Sequence, residues 1–185
     1  GSWQHVGTFF RGQSAAIDGD FNEMCNVTPL GDGRWLFTAT PLGSNRGVRT
    51  IYWVGELNSN GKFTPYDPNP KTVELYDMAT DGYGLLSPTV YYHNGKLLAL
   101  GIVPDKLSDT YTYSMGFSHC MSFPREWSVD AEGNLIQRPY EGIQALRTDS
   151  NVHLTDTLIN ATTPLTPVSG RQWEVKIKAV VGTAG

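Results

Sequence analysis

The sequence predicts an all-β protein organised as a partial β-propeller of about two to three four-stranded blades. Three observations carry this. A strand-like run through Glu23 and Pro29 enters the turn Gly31-Asp32-Gly33 and leaves as Arg34-Trp35-Leu36-Phe37. The same grammar returns in Ser87-Pro88-Thr89-Val90-Tyr91-Tyr92, the turn His93-Asn94-Gly95 and Lys96-Leu97-Leu98. Asp-Gly and Asn-Gly suit hairpin turns because they tolerate positive φ. Apolar residues recur at period two nearly throughout, the period of a strand with one buried face. With 20 Gly, 11% aromatic, 39% hydrophobic and 17% charged residues, the 185-residue chain has the composition of a turn-rich globular protein.

Taken in order, a strand is expected over residues 3–10. A first blade over 19–66 holds strands at 23–30, 34–40, 50–57 and 62–65, the last entered through Asn60-Gly61. A second blade over 71–126 holds strands at 73–77, 88–92, 96–103 and 112–123, and a further hairpin joins 128–130 to 135–139. Helical character is confined to residues 140–147, and 148–151 reads as a linker. Residues 172–181 alternate at period two again, a new strand that needs a partner because a lone hairpin is unstable in water.

Several classes of function are excluded. A net charge of −4 without a basic stripe speaks against nucleic acid. No apolar run approaches the roughly 20 residues that span a bilayer as a helix. The histidines, His5, His93, His119 and His153, lack ligand spacing, so no metal is expected. Cys25 and Cys120 fall in apolar strand contexts and are expected as buried free thiols rather than a disulfide. The 5 Trp and 9 Tyr suit sugar stacking, although core packing is the commoner use of such rings.

From Glu23 to Arg147 the order of motifs resembles the later blades of glycoside hydrolase family 32, the invertase, inulinase and levanase family. Residues 23–30 resemble its Glu-Cys-Pro-Asp motif and the following Pro-Leu. Tyr52-Trp53-Val54-Gly55 with Gly61-Lys62-Phe63 resembles the next paired strands. Asp81-Gly82-Tyr83-Gly84-Leu85-Leu86-Ser87-Pro88 resembles an Asp, Gly, aromatic, Ala-Pro segment of the last blade. Ser122-Phe123-Pro124-Arg125-Glu126, Gly133 to Pro139 and Leu146-Arg147 resemble the exit from the propeller. The resemblance implies a partial propeller over 1–147 and, over 148–185, a linker with the opening strands of a β-sandwich-like segment.

The resemblance further implies a β-fructosidase-like domain acting on sucrose or fructans, with Glu23 as acid/base and no cofactor. Substrate contacts would fall to Asn26, Asp81, Tyr83 and Phe117. The family's nucleophile motif and its Arg-Asp-Pro motif do not occur in the chain, so it is expected to be catalytically incomplete alone. Asp67-Pro68-Asn69 imitates the nucleophile motif by letters only and reads as a solvent-facing turn. Met24 and Asn26 replace the family Cys and Asp. A gapped alignment would set Met24 on the catalytic Glu, and the ungapped one is preferred. Trp positions near the last blade are held by Leu100, Ile102 and Phe117. The expected partners are a fructoside and the remaining blades, from the same gene, a second chain or a homodimer; the alternative is a non-catalytic carbohydrate-binding or assembly module pairing through blade edges. Location outside the cytosol, extracellular or periplasmic, follows from the family alone. Arg125 and Glu126 are read as a structural ion pair, and Asn26 and Asn160 each begin an Asn-x-Thr sequon.

Overall fold

The computed structural model describes residues 1–11, 21–42, 50–74, 84–104, 108–148, 174, 176 and 178, without the side chains of Phe21 and Leu42. The chain divides into two compact units, Gly1–Ala145 and Leu146–Gly185. In the second unit the described contact is the Arg147–Glu174 ion pair. The expected strand at 172–181 lies almost entirely outside the described residues.

The first unit holds two antiparallel sheets, as a partial propeller requires. In the first, β1 (Phe21–Pro29), β2 (Trp35–Leu42), β3 (Ile51–Leu57) and β4 (Phe63–Pro65) follow one another, and β5 (Lys71–Thr72) pairs with the start of β3. In the second, β6 (Leu86–His93) pairs with β7 (Lys96–Val103). β7 then pairs with β8 (Cys120–Met121) at one end and β9 (Arg125–Val129) at the other, and β10 (Leu135–Pro139) forms the far edge. The His93–Lys96 turn places Asn94 at φ 49° and Gly95 at φ 78°, as a two-residue turn of matching twist needs.

Alternation divides β2 and β3 between two cores. Leu36, Tyr52 and Val54 of the first sheet meet Leu97, Ala99 and Trp127 of the second. The intervening residues, Phe37, Ala39, Ile51, Trp53 and Phe63, form a second cluster on the opposite face, where Phe9 and Phe10 pack. Each of the larger aliphatic and Phe side chains buried here contributes about 1.5–3 kcal/mol. Residues 3–10 are therefore no strand: Phe10 lies 5.1 Å from the Trp53 ring, and one backbone bond, Phe63 N to Phe9 O, ties the segment down.

Other expectations are corrected by local chemistry. Residues 112–123 begin inside a helix, α1 (Asp109–Met115), not a strand. Ser108 caps it by accepting from the Tyr111 amide, and Gly116 ends it at φ 76°, which outweighs the strand preference of Thr112 and Tyr113. The second sheet is completed instead by β9 and β10, the supposed extra hairpin. Residues 141–146 form a 3-10 helix. Val73 and Glu74 belong to no strand; Val73 is buried between the sheets. Cys25 and Cys120 are free but exposed, because a bulge and a two-residue strand hold them at the surface. Arg125 pairs with Glu74 rather than Glu126, which bonds Lys96 at 3.1 Å. Arg125 and Gln137, with Trp127 and the Val73 carbonyl, tie the end of the first sheet to the second. Among the described residues, no helix is long and apolar enough to cross a membrane.

Candidate functional site

Glu23 is the third residue of β1, an edge strand, and is exposed. It pairs with Thr40; the register then slips, and pairing resumes at Asn26 with Thr38. Met24 and Cys25 thus form a β-bulge, with Met24 at φ 48°. A bulge inserts an extra residue and re-aims the side chains beside it. Simple alternation would set Glu23 and Cys25 on one face and Met24 and Asn26 on the other. The bulge instead sets Glu23 and Asn26 on one face, that of their partners Thr40 and Thr38. Cys25 is not buried beside the carboxylate, and Met24 is 51% exposed rather than packed between blades. Burial of its sulfur, partial though it is, pushes the Cys25 thiol up from its ordinary value.

The second sheet repeats the device. Leu86 pairs with Ile102, Ser87 and Pro88 together face Gly101, and Thr89 resumes the ladder with Leu100. Pro88 is therefore the counterpart of Cys25. Pro29 sits at the end of β1 opposite Trp35, so Pro29 and Pro88, although they belong to runs of the same grammar, do not occupy equivalent positions.

Beneath Glu23 runs a buried polar chain that the sequence did not reveal. The Thr50 hydroxyl donates to the Leu85 carbonyl at 2.7 Å. Its one hydrogen being used, it accepts from the Thr40 hydroxyl at 3.1 Å. Thr40 Oγ1 in turn accepts from the Ser87 amide at 3.2 Å. The register partner of Glu23 is thereby tied to the entry of β6. In the sequence this polar chain shows only as two isolated threonines, Thr40 and Thr50, beside apolar runs.

Asn26 Nδ2 donates to the Met24 carbonyl and to the Pro88 carbonyl, both at 2.8 Å. Phe117 follows the cap of α1, 60% exposed, and joins neither core cluster. Asp81, Tyr83 and Asn160 lie outside the described residues. Asp67 accepts from the Asn69 amide at 2.9 Å in an exposed turn, which fits the reading of that segment as a loop. Among the described residues, no group of three or more His, Cys, Asp or Glu is placed to hold a metal ion.

A cavity of about 140 Å³ lies between the first sheet and the β9–β10 turn, lined by Arg34, Tyr52, Tyr66, Asp67, Lys71 and Glu132. Its cations are already committed. Arg34 bonds Asp32 and donates to the Asp130 carbonyl at 2.7 Å. Lys71 donates to Glu132 O, Gly133 O and Asn134 Oδ1 at 3.0, 3.2 and 2.8 Å. These bonds make the cleft a seam that holds the sheets together, separate from Glu23.

Residues 1–139 match the model of the glycosyl hydrolases family 32 N-terminal domain. No curated protein matches the chain. Among solved structures, the sucrose-6-phosphate hydrolase from Lactobacillus gasseri is 21% identical with a TM-score of 0.61, covering 80% of this chain and 30% of that one. The GH32 β-fructofuranosidase of Bombyx mori is 23% identical with a TM-score of 0.59, covering 74% and 29%. Fructan 1-exohydrolase IIa from Cichorium intybus, in complex with 1-kestose, is 20% identical with a TM-score of 0.55, covering 69% and 26%. The chain thus spans less than a third of each, and at these identities the likeness is one of fold.

Proposed function

The chain belongs to glycoside hydrolase family 32, and from that premise we propose that it carries the acid/base carboxylate, Glu23, of a β-fructosidase site acting on sucrose or fructans. The observation that supports this most is the bulge of β1. It presents an exposed carboxylate on an edge strand, over a seam that fixes its backbone. The named neighbours act on or bind such sugars: one is a fructan exohydrolase in complex with 1-kestose, and the Bombyx mori enzyme has a variant in complex with sucrose.

In retaining hydrolysis the acid protonates the leaving oxygen while a second carboxylate, about 5–5.5 Å away, attacks the sugar. The first group then takes a proton from water as the covalent intermediate is cleaved. Glu23 fills the first role. The second carboxylate comes from residues outside this chain, because the family's nucleophile motif is not present in it. The 185-residue chain alone should release no fructose from sucrose, inulin or levan at an enzymatic rate. Combined with the remaining blades it should do so, and Glu23→Gln should abolish that activity. Fructose release by the chain alone, lost in Glu23→Gln, would overturn the incomplete-site reading; assembled activity that survives Glu23→Gln would overturn the role of Glu23.

The alternative is a non-catalytic binding or assembly module. It is favoured by apolar residues on the face of β7 and β8 turned away from the first sheet, with Leu100 38% and Met121 59% exposed. Sedimentation decides whether the chain pairs with itself. A place outside the cytosol is part of the proposal. There the exposed thiols Cys25 and Cys120 would be capped or cross-linked in protein from its source, and mass spectrometry reads this directly.

A further inference from the structure

We propose that Asn26 is a positioning residue whose side-chain amide clamps the bulges of the two sheets together and so sets the direction in which Glu23 projects. A bulge interrupts the ladder and leaves backbone groups that need other partners. The Met24 and Pro88 carbonyls are two such groups, one from each bulge. Asn26 Nδ2 reaches both at 2.8 Å. An amide nitrogen carries two hydrogens, and both are spent here. The clamp joins β1 to β6 across the gap between the sheets, a residue separation that no local turn supplies. It also closes over the strained residue beside Glu23, since Met24 sits at φ 48° and Ser87 in the facing bulge at φ 46°.

The acidic residue that the family pattern carries at this position could not make these bonds when ionised, because a carboxylate only accepts. The clamp therefore belongs to this chain's departure from the pattern. It assigns Asn26 to holding the carboxylate in place, not to touching sugar.

The consequence for catalysis rests on the reading of Glu23 as acid/base; the clamp itself is tested without activity. In the 185-residue chain, both Asn26 side-chain amide protons should exchange slowly with solvent and show couplings across hydrogen bonds by NMR. Two freely exchanging protons would overturn the proposal without any variant. In Asn26→Ala and the near-isosteric Asn26→Asp, Cys25 within the bulge should be alkylated by iodoacetamide about tenfold faster relative to Cys120, in line with two lost hydrogen bonds. The Glu23 backbone and carboxyl resonances should move with it. If Asn26→Ala does not fold, Asn26→Asp decides. A Cys25 rate and Glu23 resonances unchanged in a folded variant would refute the clamp. Glu23→Gln should leave the Asn26 protons and the Cys25 rate as they are, so failure of the clamp and failure of the acid/base role are read separately.

Discussion

Met24 and Ser87 occupy the same position in two consecutive sheets, at φ 48° and 46°, each one residue after the pair that precedes the register slip of its strand. Their neighbours correspond in turn: Glu23 with Leu86, Cys25 with Pro88, Asn26 with Thr89. The bulge is thus a feature of the repeat, while the carboxylate beside it belongs to the first sheet alone. The same backbone device that turns a strand in one sheet presents an acid in the other.

Relief of the left-handed residues should be measurable. An L-residue in that region costs roughly 1–2 kcal/mol. Met24→Gly should raise the urea midpoint by the equivalent of up to about 1 kcal/mol, after the entropy that glycine adds to the unfolded chain. Met24→Val should lower the midpoint, because a β-branched side chain tolerates that φ poorly.

Thr40 and Thr38 should respond oppositely to the same substitution. Thr40→Val leaves the Ser87 amide without its acceptor and removes the donor to Thr50, at a cost of about 1–3 kcal/mol. Thr38 Oγ1 is buried without a hydrogen-bond partner. Thr38→Val should therefore be neutral or stabilising, by up to about 1–3 kcal/mol, since it removes a polar group that burial penalises. Chemical denaturation of both variants checks the contrast.

Gly55 should tolerate no side chain. An added Cβ would stand 2.2 Å from the Thr64 carbonyl oxygen and 2.7 Å from Pro65 Cα, both backbone atoms of β4. Gly55→Ala should cost about 1–3 kcal/mol by forcing β4 away from β3. Gly61→Ala meets no atom within 4 Å and strains only its φ of 73°, so it should cost less. Thermal melts of the two variants give the order.

The β9–β10 turn should loosen in acid. Hydrogen bonds from the Asn134 backbone amide, and then from its side chain, hold the Asp130 carboxyl below its ordinary value. The turn's stabilisation is therefore present above the unfolded carboxyl's pKa of about 4 and is lost as pH falls through the lowered folded value. The Asn134 amide resonance should keep its position down to about pH 4 and move below it. In Asp130→Asn that acid step should vanish.

Particular residues show how far the fold was legible. Asn94-Gly95 in one turn, and Gly31 and Gly33 in the other, mark their turns because few residues accept positive φ there. Alternation in residues 51–57 assigns Tyr52 and Val54 to one core and Trp53 to the other. The strand expected over 112–123 failed because Ser108 and Gly116 cap a helix, and capping is a short-range signal that a reading by alternation passes over. Phe9 and Phe10 look like a strand by composition, yet they are held by ring packing on Phe37, Trp53 and Phe63, which only folding assembles.

Motif order, turn chemistry and strand period are local properties of the chain, and they were enough to read the family, the all-β class, the repeated hairpins and the candidate acid at Glu23. Which way Glu23 faces, the pairing of Arg125 with Glu74, the exposure of Cys25 and the bond from Asn26 to Pro88 emerge only on folding. Each of these depends on a register slip or on a contact between residues far apart in sequence. A one-residue bulge reverses every face assignment beyond it, and no local pattern records where a second sheet will set its carbonyl.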